Sequence, residues 1–507
     1  VSLLPQETAP NVPAAVVETH ISVLVFLGKR VYKLKKPVRF DFLDFSTVDR
    51  RREACHREVD LNRRLSPDVY LGVLDVVDAE GVVRDHMVEM VRLPDDRRLS
   101  SLVRDPALDV EPAVRTLARC VAAFHEAAVR GPVIDEHAGH ASVVARWEQD
   151  LAELGRIAAE HPGLLDGRTL ADVAVRARRW LAGREPLFAD RQQGGHAVDG
   201  HGDLRADDVF CLDDGPRVLD CIEFSDRLRH GDVWDDVAFL LMDLERLGRG
   251  DLGDRFADAY REFTGDTAPA ALVHVFVARR ALVRVKVGAL RVTQLVPGPD
   301  RRAASAEVES LLALAHTHLT AAEVRLVLLG GLPGTGKSTV AEALGTESGA
   351  VVMGSDATRK EQAGLPTTVA APEGFREGLY DLATTDATYA LLLDRARVAL
   401  THGESVVLDA TWADARRREE AREIGRRGGA RVVELRCVCP SGLAAERLRA
   451  RAASGPTESD ADEEIAARVA ATADDWPEAS VLDTSASVAA CVLQARPHLG
   501  ASFGADR

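Results

Sequence analysis

The chain has 507 residues, 46% of them hydrophobic and 28% charged, with a formal net charge of −16. That length exceeds what one core supports, so two to four domains are expected, and the composition is that of a globular chain. The acidic balance disfavours long nucleic acid as a partner, because neutralising phosphates needs a basic surface, and no uncharged apolar run approaches the roughly 20 residues of a membrane span.

The opening Val1–Glu7 has neither the basic region nor the apolar core of a signal peptide, so a cytoplasmic location is expected. Alternating apolar runs at 21–26, 30–34, 71–77 and 86–90 predict strands of an antiparallel sheet, interrupted by a charged helix over 47–65. From Glu111 the periodicity turns helical, over 114–128, 143–158, 170–182, 233–247, 251–263 and 270–289. Two strand-like runs, 209–212 and 218–224, form an island among these helices. The organisation expected is a sheet lobe over about 1–95 and a helical lobe over about 96–320. After a turn at Val296–Asp300 and a helix over 303–318, the boundary is placed near Thr320, with a second domain over 321–507. There, apolar runs at 326–329, 350–353, 405–408, 432–438 and 480–482 alternate with helical segments, the pattern of a parallel sheet covered on both faces. The stretch 450–464, rich in Ala, Ser, Gly and acids, is expected to be mobile. Seven scattered cysteines, an odd number, argue against a disulfide framework.

The most specific motif is Gly331-Leu332-Pro333-Gly334-Thr335-Gly336-Lys337-Ser338, which fits G-x-x-x-x-G-K-[ST] between an apolar strand and a helix beginning at Thr339. The glycines let backbone N–H groups curl around phosphate oxygens, Lys337 reaches the outer phosphates, and the Ser338 hydroxyl can ligate Mg²⁺. A nucleoside triphosphate, ATP, is therefore the expected ligand. Asp356 closes the second strand run, at the sheet edge where ligands bind. It can accept the proton of an incoming hydroxyl, with Arg359 holding an anion nearby; a plain helix N-cap is the other reading. Asp409 ends the run Ser405–Leu408, the Walker B form whose usual work is holding Mg²⁺. Arg447 and Arg451 share a helical face and could close onto phosphates as part of a lid, or simply be solvated.

Together these stretches, "GLPGTGKS", "SDATRK", "VVLDAT" and the arginine pair, resemble the small P-loop kinases related to polynucleotide kinase, zeta-type toxins and chloramphenicol phosphotransferase. The resemblance covers about 180 residues. It implies sheet order 2-3-1-4-5 and Asp356 as general base.

A second constellation lies earlier. "HGDLRADD" resembles the H-G-D-x-x-x-x-N catalytic loop of the aminoglycoside phosphotransferase (protein-kinase-like) fold, and "CIEF" stands where that family has its metal-binding I-D-[FW]. "GKRVYKLKKP" is similar to the strand carrying the ATP lysine, and "REVDLNRRL" to the helix bearing its glutamate partner. The resemblance implies Asp203 as catalytic, Asp208 and Glu223 as metal ligands with Asp220 as an alternative, Asp236 as a brace, and Lys33 (Lys35 as fallback) paired with Glu58. Asp208 replaces the expected asparagine and Glu223 the expected aspartate, which adds negative charge and reach. Only seven of 64 basic residues are lysine, and four of them fall in Lys29–Lys36.

The expectation is thus an α/β multidomain chain: a protein-kinase-like two-lobed α+β domain followed by a P-loop α/β domain with a parallel five-stranded sheet. The expected function is an ATP- and Mg²⁺-dependent small-molecule kinase acting on a hydroxyl acceptor. The alternatives are a polynucleotide or RNA end kinase, and a nucleotide-sensing regulator with an inactive N-terminal pseudokinase.

Overall fold

A computed structural model describes residues 15–40, 43–366, 381–453 and 462–500. The chain folds as two compact units: Val1–Leu165, Asp190–Ala268 and Phe276–Ala315 make the first, and Asp166–Ala189, Pro269–Val275 and His316–Arg507 the second. Two segments well before Thr320 therefore belong to the second unit, which a single cut in sequence does not capture.

The first unit opens with strands β1 (Ala15–Glu18), β2 (Ser22–Leu27) and β3 (Arg30–Lys35), then helix α1 (Val48–Asn62), then β4 (Tyr70–Val77) and β5 (Val83–Val91). They form one antiparallel sheet in the order β1-β2-β3-β5-β4. The two-residue turn between β2 and β3 uses Gly28 at φ 59°, a conformation open to glycine without a Cβ penalty. Thr47 caps α1 by accepting from Arg50 N. One face of α1, with Cys55, Glu58 and Val59, is buried against the sheet, where Val31, Val69, Tyr70, Val88 and Met90 complete a core. The period of the helix thus delivers Glu58, one acid among apolar neighbours, toward β3.

The helical part follows, with α2 (Glu111–Ala127) and α3 (His140–Glu160). Strands β6 (Val209–Leu212) and β7 (Gly215–Val218) pair as a hairpin. The expected strand 218–224 is not one: its ladder ends at Val218, and Leu219–Phe224 runs on as irregular backbone with Asp220 at φ 66°. Earlier in the chain lie α4 (Gly167–Leu181) and α5 (Glu185–Gln193). α6 (Val233–Arg246) is buried at every position from Val233 to Leu244, which marks it as the central helix. α7 (Gly250–Thr264), α8 (Ala270–Gln294) and α9 (Pro299–Ala321) complete the run.

The second unit holds a parallel sheet of β8 (Arg325–Gly330), β9 (Val351–Gly354), β10 (Val406–Asp409), β11 (Arg431–Val438) and β12 (Ser480–Asp483). Its order is β9-β10-β8-β11-β12, the 2-3-1-4-5 arrangement expected. The central strands β8 and β10 are almost wholly buried, as continuous apolar runs require. Helices α10 (Lys337–Ser348), α11 (Ser355–Gln362), α12 (Leu382–Thr401), α13 (Ala415–Arg427), α14 (Ser441–Ala453), α15 (Glu463–Thr472) and α16 (Val488–Leu499) connect and cover these strands. Of the stretch expected to be mobile, residues 454–461 lie outside the described residues. α4 packs in this unit. Asp166 caps it, its buried face carries Leu170, Val173, Trp180 and Leu181, and beyond it Arg184 Nη1 donates to Gly428 O at 2.5 Å. All seven cysteines are free thiols, and among the described residues no helix is long and apolar enough to cross a membrane.

Candidate active sites

In the second unit, β8 delivers the chain to the sheet's carboxyl edge, and the P-loop turns there into α10. Gly331, Gly334 and Gly336 take positive φ values of 140°, 81° and 80°. A Cβ on Gly334 would stand 2.7 Å from Ala444 O, and one on Gly331 2.5 Å from Cys437 O, so packing as well as backbone conformation demands glycine. Thr335 fixes the loop: its hydroxyl donates to Leu332 O at 2.8 Å, and its carbonyl accepts from the Thr484 hydroxyl at 2.6 Å. Lys337 Nζ folds back to Leu332 O at 3.1 Å.

The register of the sheet brings the acids to this loop. Leu329 and Gly354 both stand opposite Asp409, so the end of β10 lies between the P-loop strand and the strand leading to Asp356. Burial pushes the Asp409 carboxyl above its ordinary range, against the opposing influence of Lys337 and a hydrogen bond from Ser338, while Asp356 and Glu342 add to the rise. Asp356 is held by Arg359 Nη1 at 2.7 Å. A cavity of about 1210 Å³ is lined by Pro333, Gly334, Gly336, Lys337, Ser338 and Thr339, and also by Asp356, Arg359, Asp409, Arg447 and Arg451. Gly331 and Thr335 do not line it; they pack against Cys437 O and Leu332 O instead. Arg447 Nη2 donates to Thr484 O at 2.8 Å; its Nη1 is buried without a hydrogen-bond partner among the described residues, 3.3 Å from where a Gly336 Cβ would be.

In the first unit, β3 puts Lys33 and Lys35 on one face of the sheet, and both meet Glu58: Lys33 Nζ at 2.8 Å and Lys35 Nζ at 2.7 Å. Lys33 also binds Asp220 at 2.5 Å, and Lys35 binds Glu223. Burial opposes the charge on Lys33, but Asp220 and Glu58 outweigh it and hold the ammonium well above its ordinary range. Lys33 lowers the Asp220 carboxyl to about 2. Burial raises Glu223 despite its lysine. The Glu223 side chain is 5% exposed and committed to Lys35, whereas that of Asp220 is 44% exposed. Of these two acids, Asp220 is the more accessible.

The loop 201–208 is held from below by α6. Asp236 accepts from His201 N and Gly202 N, both at 2.7 Å, and contacts His125 Nε2 at 3.1 Å. Asp243, about two turns on, accepts from Ala206 N at 2.9 Å. Sequence reading missed Arg205, which bridges Asp203 at 3.1 Å and Asp208 at 2.8 Å. The signal was present: an acid at 208 where an asparagine is expected calls for a compensating cation nearby. Burial still pushes Asp208 up to about 8, against the pull of Arg205. Also missed were Tyr389, Asp414 and Arg417 on the cavity wall, which no motif marks.

Among solved structures, the GDP complex of aminoglycoside 2'-phosphotransferase-IIIa is 16% identical, covering 61% of this chain and 94% of its own, with a TM-score of 0.35. A gluconokinase from Sinorhizobium meliloti 1021 is 21% identical, covering 34% of this chain and 90% of its own, with a TM-score of 0.25. At these values neither carries an argument about chemistry. The family model described as an AAA domain matches residues 326–475, which span the P-loop, Asp356, Asp409, Arg447 and Arg451. Two mycobacterial proteins, uncharacterized protein Rv2004c of Mycobacterium tuberculosis and uncharacterized protein Mb2027c of Mycobacterium bovis, are each 42% identical over 468 residues, 92% of this chain and 92% of theirs. The chain belongs to the family of these mycobacterial proteins, with an AAA-type P-loop domain in its C-terminal unit.

Proposed function

We propose that the C-terminal unit is a cytoplasmic kinase that moves the γ-phosphoryl group of ATP, with Mg²⁺, onto a hydroxyl of a small molecule. The observation that carries this reading is the single cavity that gathers Lys337, Ser338, Asp356, Asp409 and Arg447. Lys337 would exchange Leu332 O for phosphate oxygens, and the P-loop amides would hold the rest of the triphosphate. The donor set fits Mg²⁺: a hydroxyl on a buried carboxylate whose ionisation burial disfavours is what a hard cation relieves. Ser338 and Asp409 would hold it, and when bound it supplies charge neutralisation of the phosphates. Asp356 accepts the acceptor's hydroxyl proton. The hydroxyl oxygen forms its bond to phosphorus as the bond to the β-phosphate oxygen breaks, and ADP leaves with that electron pair. Arg447 and Arg451 answer the charge on the moving group.

For the N-terminal unit we infer a second phosphotransferase site. Asp203 faces the acceptor, Lys33 and Lys35 anchor phosphates with Glu58, and Asp208 with Asp220 or Glu223 provides oxygen ligands. One observation favours a different reading, nucleotide binding without transfer: Arg205 bridges Asp203 and Asp208, the two acids that transfer would use.

The test is full-length protein with labelled ATP, Mg²⁺ and a metabolite extract, products being identified by mass spectrometry. Lys337→Ala should abolish the C-terminal product and Asp203→Ala should leave it. Undiminished product from Lys337→Ala defeats the assignment.

A further inference from the structure

The cavity of the C-terminal unit has a wall that the P-loop and its acids do not account for. α12 packs against both α11 and α13, and it carries Tyr389, a buried ring whose hydroxyl lies 3.2 Å from Thr411 Oγ1. Over that ring sits the Arg417 guanidinium from α13, 4.4 Å from the ring centroid. Asp386, three residues before Tyr389 on α12, accepts from Arg417 Nη2 at 2.9 Å and from Arg416 Nη2 at 3.0 Å, so its charge is shared between two guanidiniums. Asp414 stands farther off, 3.8 Å from Arg417 Nε. That Nε is buried and has no hydrogen-bond partner among the described residues. Tyr389, Asp414 and Arg417 line the same cavity as Asp356 and Arg359.

A guanidinium stacked on an aromatic face and tied at one nitrogen loses little freedom when it takes a ligand. A buried donor without a partner is unfavourable until one arrives, and a carboxylate or phosphate matches the planar fork. Resting on the kinase reading above, we propose that the acceptor of the C-terminal unit bears an oxyanion group that docks on Arg417 while a hydroxyl of the same molecule faces Asp356. Arg417 then selects the acceptor by the charge and planar geometry of its guanidinium. The transfer step is the one already written.

The test separates a bacterial metabolite extract on an anion exchanger and offers the retained and unretained fractions, each with labelled ATP and Mg²⁺, to the full-length Asp203→Ala protein, so that any label reports the C-terminal unit. Label is expected in products of the retained fraction. Prior treatment of that fraction with phosphatase, then removed, distinguishes the sources: acceptors anchored by phosphate disappear, and those anchored by carboxylate persist. With the acceptor in hand, Arg417→Gln should raise its KM about 10- to 100-fold, the range of a hydrogen bond to a charged group. An unaltered KM for ATP reports that the variant is folded, and Arg417→Lys should recover part of the loss. Product from the unretained fraction, or an acceptor KM unmoved in Arg417→Gln, overturns the anionic acceptor and leaves the kinase reading standing. Label from neither fraction defeats both.

Discussion

Replacing Arg447 with methionine should separate stability from activity. Among the described residues Nη2 makes one hydrogen bond, to Thr484 O at 2.8 Å, and Nη1 is buried with none. Losing the bond costs about 1 kcal/mol, more if the carbonyl stays dry, whereas removing an unpartnered buried donor returns about 1–3 kcal/mol. Methionine keeps most of the stem's packing. The two effects oppose each other at similar size, so the net change is within about 1 kcal/mol, or about 2–4 °C in the melting of a unit of this size. Activity should behave otherwise. If Nη1 finds its partner only in the moving phosphoryl group, kcat should fall about 100- to 1000-fold, as for removal of one preorganised donor, with KM for ATP little changed. Thermal melting and steady-state ATP turnover on the same preparations decide it. A melting temperature lowered by about 10 °C or more would make Arg447 architectural, and an unchanged kcat would remove it from the chemistry.

Three further outcomes follow from the geometry. Asp356→Asn should lower kcat about 100-fold or more while leaving ATP affinity within about threefold in calorimetry, because the residue serves the acceptor and not the nucleotide; equal loss of ATP binding would contradict this. Gly334→Ala should abolish ATP binding, since its φ of 81° and the 2.7 Å approach to Ala444 O leave no room for a Cβ; normal binding isotherms would refute the packing argument. In the N-terminal unit, burial opposes ionisation of Asp236, yet His125, the nearby His201 and the loop amides hold its carboxyl well below the usual range. Its contribution to stability is then complete above about pH 4 and lost as pH falls toward the folded-state value. Asp236→Asn should therefore weaken hydrogen-exchange protection of the His201 and Gly202 amides at pH 6, and the difference from wild type should shrink in acid; a difference constant from pH 6 to 3 would sink the linkage.

Much of the C-terminal unit was legible because its signals are local. A strand that must be buried on both faces reads as an apolar run, and a loop that must wrap phosphates reads as glycines followed by lysine. The strand expected at 218–224 shows the limit. Leu219-Asp220-Cys221-Ile222-Glu223-Phe224 has a strand's composition, but ladder pairing ends at Val218 and Asp220 takes a left-handed conformation that brings its carboxylate to Lys33. Pairing depends on a partner elsewhere, and composition does not report it. The same holds for α4: periodicity predicts that Leu170, Val173 and Trp180 are buried, but not which core receives them. Arg417 escaped notice because its role exists only across a cavity, against residues distant in the chain, whereas Arg205 joins acids two and three residues away and its signal was the acid at 208.

The membership of α4 in the second unit has a consequence for how this protein can be divided. A fragment beginning near residue 320 would lack the helix that buries Trp180 and Leu181 and the arginine that caps Gly428 O, and would present that apolar ground to water. Gene fusion alone would have left two separable beads on a string. A chain that lends an early helix to its later half ties their inheritance together, so that losing either part by truncation injures the other.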